Sequence, residues 1–455
     1  MKERMKKQLI APKKRETFTS NFGLLMSMIG VAVGLGAVWR FPYMVKKFGG
    51  AEFVLFYLIV VFFIGIPALM AEWTLGRHTR RGTLGAFEKG GFPGGKFVGA
   101  FLFFIVFGAT GYYSNALGWV GFHGLSELVN FFGLELNASA ILPPQEGFNL
   151  TSLLLQLLMT AFVIFSCGIV LFKGLRKGIE KTSKWIVPLL FTILIILVVR
   201  SVTLRGASEG IKWYIGAFRF SELTPSVMAA ALGMAFFSMS LGGTFMVIYG
   251  SYLNKEANIL KNSVFTGIAA SVAGLLAGLA IFPAVFSFGL EPSDSPGLIF
   301  RTLPETFSMM PAGSLFGLLF FFGLFGAAYL SDVAAFEVLV GGLVDNTKIE
   351  RKKAVILVCL IVFVLAIPPM INFKIFFPWD LTFGSGMQAL GSLLAVITAV
   401  WCLKRSEALK ELAKGRGKPF PLFLYWWMRI VVPAAILFVG INWLLESVFK
   451  INIFG

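Results

Sequence analysis

Long apolar stretches separated by short polar segments recur along the whole chain, and that pattern sets its class before any single residue is weighed. Apolar runs of about 20 residues cross a bilayer as helices. Eleven are present, near 22–46, 52–74, 97–127, 150–172, 182–202, 225–252, 260–289, 315–344, 354–372, 380–403 and 420–447. Two of them are interrupted. Gly30-Val31-Ala32-Val33-Gly34-Leu35-Gly36 breaks the first, and Ser238-Met239-Ser240-Leu241-Gly242-Gly243 breaks the sixth. Glycine costs roughly 1 kcal/mol against alanine inside a helix. Backbone at membrane depth leaves N–H and C=O groups unpaired only where they face a ligand or a water-filled cavity. Broken helices at corresponding places in two halves of a chain point to the binding site of a transporter. The pattern therefore predicts an all-α integral membrane protein with two units of five helices, about 22–202 and 225–403, and an eleventh helix at about 420–447. An odd number of spans precedes the second break, so the units enter from opposite sides as an inverted repeat. One transmembrane domain, 22–448, follows a segment of residues 1–21.

Composition agrees with a lipid solvent. Hydrophobic residues make up 57% of the 455, charged residues only 14%, and the mean hydropathy is +0.82; a soluble protein carries roughly a quarter charged residues. The net charge of +17 would suit nucleic acid, but its distribution does not. Basic residues crowd alternate loops: Lys2 to Arg15, Arg77 with Arg80 and Arg81, Lys173 with Arg176 and Lys177, Lys348 with Arg351 to Lys353, and Lys404 to Lys418. The intervening loops carry Glu127, Glu135, Glu146, Glu291, Asp294 and Glu305. This asymmetry places the N-terminus in the cytoplasm and, with an odd span count, the C-terminus outside; the expected location is the cell inner (plasma) membrane. The first apolar run follows a basic stretch and is too long for the core of a cleavable signal peptide. Cys167, Cys359 and Cys402 have no metal-ligand spacing and read as packing residues.

Several motifs then carry a family resemblance. The run Val33-Gly34-Leu35-Gly36-Ala37-Val38-Trp39-Arg40-Phe41-Pro42 resembles the first-helix signature of the neurotransmitter:sodium symporters. So do Gly65-Ile66-Pro67 with Glu72-Trp73-Thr74-Leu75-Gly76-Arg77, Lys177-Gly178-Ile179-Glu180, and Phe236-Phe237-Ser238-Met239-Ser240-Leu241-Gly242. Eleven spans is similar to the shorter bacterial members. The resemblance implies the leucine-transporter fold, alternating access and amino-acid uptake driven by sodium.

Physical chemistry of the breaks supports an amino-acid ligand separately. Half-helix ends offer free N–H groups and a positive dipole to a carboxylate, and unwound carbonyls suit a cation. With the resemblance, the substrate site is expected at Val31, Ala32, Leu35 and Gly36 of the first break and Ser238, Ser240 and Gly243 of the second, with Ala109, Tyr113, Ser331, Asp332 and Ala335. Tyr113 stands where the family holds the substrate carboxylate, and Phe237 where it lids the site. Small residues at Ala109, Gly243 and Ala335 favour a bulky hydrophobic, aromatic or long basic amino acid, because residual void is costly.

Departures from the family bear on the coupling ion. One family sodium site uses an asparagine after Gly36, a threonine in the sixth span and an asparagine in the seventh. Here these read Ala37, Ser238 and, without gaps, Ala269. Two methyl groups cannot replace two amide carbonyls, so at most one Na+ is expected. It falls to Gly30, Val33, Ala327, Ser331 and Asp332, where Leu330 removes one of the family's two hydroxyls. Asp332 could ligate that sodium, pair with a cationic substrate group, or carry a proton, since burial penalises a charge. By the resemblance, Arg40 and Asp380 form an outer gate, and Arg15, Phe18, Tyr252 and Asp345 an inner one. Glu72 is a structural polar group expected to bond the broken region. The alternatives are a proton-coupled or sodium-independent amino-acid transporter, or a transport-dead amino-acid sensor. A channel would need a continuous polar lining that the spans lack. An enzyme would need a nucleophile–base pair, and His78 and His123 are the only histidines.

Overall fold

The computed structural model describes residues 15–216, 218–445 and 449; the basic run from Lys2 to Lys14 and the end of the predicted last span at 446–447 lie outside the described residues. Every predicted span is helical. The first is split into α1 (Asn21–Ala32) and α2 (Gly36–Phe48), bent by 49°. There follow α3 (Ala51–Thr79), α4 (Gly95–Phe131), α5 (Leu150–Phe172) and α6 (Leu175–Val202). The sixth span is split into α7 (Pro225–Ser238) and α8 (Phe245–Ser251). The rest are α9 (Ile259–Ser287), α10 (Gly313–Asn346), α11 (Arg351–Met370), α12 (Phe373–Cys402) and α13 (Leu422–Trp443). This is the inverted five-plus-five arrangement with broken first and sixth helices and an eleventh span.

Polar residues just outside the apolar runs start the helices. Ser20 accepts the Gly23 N–H at α1, Asn149 the Ser152 N–H at α5, and Asn258 the Lys261 N–H at α9, each at 3.0 Å. Thr224 caps α7 with Pro225 at its first position. α6 starts at Leu175 and α12 at Phe373, seven residues before the apolar patterns predict in each case (182 and 380). Their first turns carry Lys177 and Glu180, or Lys374 and Pro378, which hydropathy discounts but a helix accommodates.

α10 lies at the centre, against α4, α6 and α11, while α8 crosses α3. That crossing is at backbone contact. A Cβ on Gly76 would stand 2.0 Å from the Val247 carbonyl oxygen, and one on Gly250 2.8 Å from Trp73 Cα, the small-residue contact that membrane helices use. Phe104, Phe165, Trp185 and Val364 point outward as part of the lipid-facing belt.

Candidate functional site

Where α1 stops at Ala32, the polar backbone groups around the break find partners on other helices and in the second break. In an unbroken helix the Val31 carbonyl would take the Leu35 N–H. Instead the Ser240 and Ser331 hydroxyls donate to the Val31 carbonyl at 2.7 and 3.0 Å, and the Leu35 N–H donates to the Tyr113 hydroxyl at 3.1 Å. Ser331 also reaches the Gly30 carbonyl at 3.4 Å. Gly34 leaves room for this convergence: a Cβ there would lie 2.4 Å from Ser331 Oγ and 2.9 Å from Tyr113 Oη. At the second break the backbone turns through positive φ at Ser240, Gly242 and Thr244. Glu72, fully buried on α3, accepts the Gly242 N–H at 2.9 Å.

Between the two breaks lies a pocket of about 40 Å³ lined by Gly34, Leu35, Gly36, Ala109, Thr110, Tyr112, Tyr113, Phe237, Ser240, Phe245, Ser331 and Ala335. A vestibule of about 350 Å³ adjoins it and shares Leu35, Tyr112, Tyr113 and Phe237, so the Phe237 ring stands where the two spaces meet. Eight of the expected substrate residues, Leu35, Gly36, Ala109, Tyr113, Phe237, Ser240, Ser331 and Ala335, line this pocket. Val31 contributes its carbonyl alone, and Ala32 is buried in the core. Ser238 turns away, paired with the Tyr57 hydroxyl at 2.9 Å and with the Ala235 carbonyl. Gly243 does not enlarge the pocket, because the Phe245 ring fills the space beside it; a Cβ on Gly243 would fall 2.0 Å from that ring.

Asp332 is one residue, or about 100°, past Ser331 around α10, and that rotation takes it out of the pocket. It has no exposed surface, and Ser114 Oγ donates to its two carboxylate oxygens at 3.2 and 2.9 Å. The Cys167 thiol lies 3.9 Å away. These contacts tie α10 to α4 and α5 and do not include the Gly30 or Val33 carbonyls. Leu330 lies against α1 itself: a Cβ on Gly30 would meet its Cδ1 at 2.6 Å. An apolar side chain thus sits where a second hydroxyl would reach the carbonyls. Ala327, one turn before Ser331, is buried. Ala269 is half-buried, and Gly274 approaches the first break, its would-be Cβ 3.6 Å from the Ala37 carbonyl oxygen.

The two sets of residues expected to form gates differ in their contacts. Arg15 pairs with Asp345 and lies 4.7 Å over the Tyr252 ring, while Phe18 donates its N–H to the Tyr252 carbonyl at 3.4 Å. Sequence reasoning missed two further members: the Tyr252 hydroxyl donates to Glu337, which pairs with Arg351 at 2.6 Å. A buried acid on α10 was the available signal. Arg40 and Asp380 both line the vestibule but form no ion pair among the described residues, and the Arg40 guanidinium stacks 4.4 Å over the Phe237 ring. Arg15→Ala is expected to shift the population toward inward-open states. A cysteine placed at Ser27, which is buried on α1, should then react faster with a membrane-impermeant thiol reagent from the inner side; an unchanged rate would make Arg15 an ordinary loop charge.

Comparison with known proteins matches residues 15–137 and 138–451 to the sodium:neurotransmitter symporter family. An uncharacterized sodium-dependent transporter of Haemophilus influenzae is 33% identical over 454 residues, covering 94% of this chain and 98% of the relative. The sodium- and chloride-dependent creatine transporter 1 of Bos taurus is 27% identical, over 78% of this chain and 65% of its own length. Among solved structures, the crystal structure of MhsT in complex with L-phenylalanine superposes with a TM-score of 0.82 at 31% identity, over 94% of this chain and 99% of MhsT.

Proposed function

Because the chain belongs to the sodium:neurotransmitter symporter family, we propose that it is a sodium-coupled amino-acid symporter whose substrate carries a bulky apolar or aromatic side chain. The observation that carries this reading is the meeting of the Leu35 N–H and the Tyr113 hydroxyl at the mouth of a helix break, in a pocket lined by uncharged side chains. With the Leu35 N–H already donated to the Tyr113 oxygen, the hydroxyl's own hydrogen is left to offer to a carboxylate. Ala109, Phe237, Phe245 and Ala335 surround the space a side chain would enter. The pocket lining includes no acidic side chain, which disfavours a long basic amino acid. The neighbouring fold of MhsT, crystallised with L-phenylalanine, supports the same class. The protein is then a plasma-membrane transporter with its Arg15–Asp345 side toward the cytoplasm. Counterflow of radiolabelled phenylalanine, leucine and lysine in proteoliposomes tests this, with sodium, potassium or choline outside. Exchange of the apolar substrates in sodium alone is expected; binding without exchange would indicate a sensor, and exchange in choline would remove sodium coupling.

One sodium is the proposed stoichiometry. Its ligands would be the Gly30, Val33 and Ala327 carbonyls and the Ser331 hydroxyl, which already lies on the Gly30 and Val31 carbonyls. Uptake should depend on sodium with a Hill coefficient near one. Ser331→Ala is expected to raise the half-saturating sodium concentration by about tenfold, the cost of one lost oxygen contact. Asp332→Asn should leave that concentration nearly unchanged, since its partners are Ser114 and Cys167. Steep, cooperative sodium dependence, or a sharp rise in Asp332→Asn, would overturn this assignment.

A further inference from the structure

Where α12 ends and α13 begins, the chain carries a charged aromatic cluster that neither the substrate path nor the gates use. Arg429 lies seven residues past Leu422, about 10 Å along α13. Its guanidinium sits 4.8 Å from the Trp401 ring centroid and 5.4 Å from that of Trp426. Arg405, which opens the short helix Arg405–Ala413, stands 5.4 Å from the same Trp426 ring. The Trp401 indole N–H donates to the Arg429 carbonyl at 2.8 Å and fixes that ring. Both tryptophans face outward, 54% and 42% exposed. Neither arginine has a carboxylate partner among the described residues.

The surroundings sharpen the imbalance. Lys404, Lys410, Lys414, Arg416 and Lys418 lie in the same connection. Its two acids are engaged elsewhere: Glu411 by Arg77 and Lys414, while Glu407 stands 3.8 Å from His78. A charge inside a span ordinarily finds a partner, and here the protein supplies only ring faces. We infer that this cluster binds the headgroup of an anionic phospholipid. The two guanidinium groups that share the Trp426 ring would hold the phosphate, for which the planar fork is suited. The outward indoles would lie at the glycerol level, where tryptophan concentrates in membrane proteins. Basic pockets between helices on a leaflet rich in anionic lipid follow the same electrostatics. The site is separate from the substrate pocket and does not depend on the identity of the transported molecule.

Native mass spectrometry of the full chain tests this, with release from micelles holding equal phosphatidylglycerol and phosphatidylcholine. Phosphatidylglycerol should be retained in preference, by about fivefold for each arginine. The preference should fall stepwise in Arg405→Gln and vanish when Arg429→Gln is added. The single change is at an exposed position and still reads out if the double variant folds poorly. Inorganic phosphate alone should not displace the lipid, since it offers nothing to the indoles. Equal retention of the two lipids, or an undiminished preference in both variants, would mean that the arginines only extend their heads to water and would overturn the proposal. Displacement by inorganic phosphate would overturn the lipid as the occupant.

Discussion

Tyr113→Phe is expected to weaken substrate binding by about 1–3 kcal/mol, roughly five- to 150-fold in the dissociation constant, the cost of losing a hydrogen bond to a charged group. The hydroxyl accepts the Leu35 N–H and lines the pocket, so its own hydrogen is the one that can be offered to a carboxylate. Phenylalanine keeps the ring but removes that hydrogen and also leaves the Leu35 N–H without its acceptor. Both losses act on the first helix break, not on the apolar part of the pocket. Selectivity among apolar side chains should therefore stay as it is while every affinity falls. Equilibrium binding of several amino acids to purified wild type and variant checks this. Unchanged affinity would remove Tyr113 from the site, and a loss confined to aromatic substrates would make it a packing residue.

Arg77→Met is expected to destabilise the fold by about 3 kcal/mol, at the lower end of the cost of breaking a buried ion pair. The Arg77 side chain is 1% exposed at the end of α3. Its Nε donates to Glu411 at 3.0 Å, and its two terminal nitrogens donate to the Ala257 and Glu411 carbonyls. One guanidinium thus pins the Arg405–Ala413 helix and the connection before α9 to the C-terminal end of α3. Methionine fills most of the volume but leaves the Glu411 carboxylate with Lys414 and His78 alone. Lysine should rescue poorly, because a single ammonium cannot make the three-way fork. Thermal unfolding followed by size-exclusion in detergent reads the effect directly. An unchanged midpoint in the methionine variant would show that Glu411 is satisfied without Arg77.

The helices were legible because hydrophobic length is a bilayer property and needs no tertiary knowledge. Their breaks were legible to within a few residues. Glycine marks where a helix is permitted to stop, not where it does: Gly30 continues α1, and the chain unwinds only after Ala32. In the second break Ser240 and Thr244, neither a glycine, adopt positive φ. Side-chain direction was less accessible. Ser331 and Asp332 are neighbours in sequence, yet one faces the breaks and the other faces α4 and α5. A single helical residue step decides between ion ligand and interhelical tie. The place of Gly243 was not legible for a related reason, since the space beside it is filled by Phe245, two residues on. The Glu337–Arg351 pair joins α10, more than two turns before its end, to the first residue of α11, and no local spacing rule connects them.

The Val31 carbonyl oxygen has two lone pairs, and both are taken, one by Ser240 and one by Ser331. Both serines line the substrate pocket, and Ser331 belongs to the proposed ion site as well. Their hydroxyls therefore draw on one atom, and a ligand that turns either oxygen toward itself alters what the other can donate to. Linkage of this kind is reciprocal: whatever factor sodium adds to substrate affinity through this oxygen, the substrate must return to sodium.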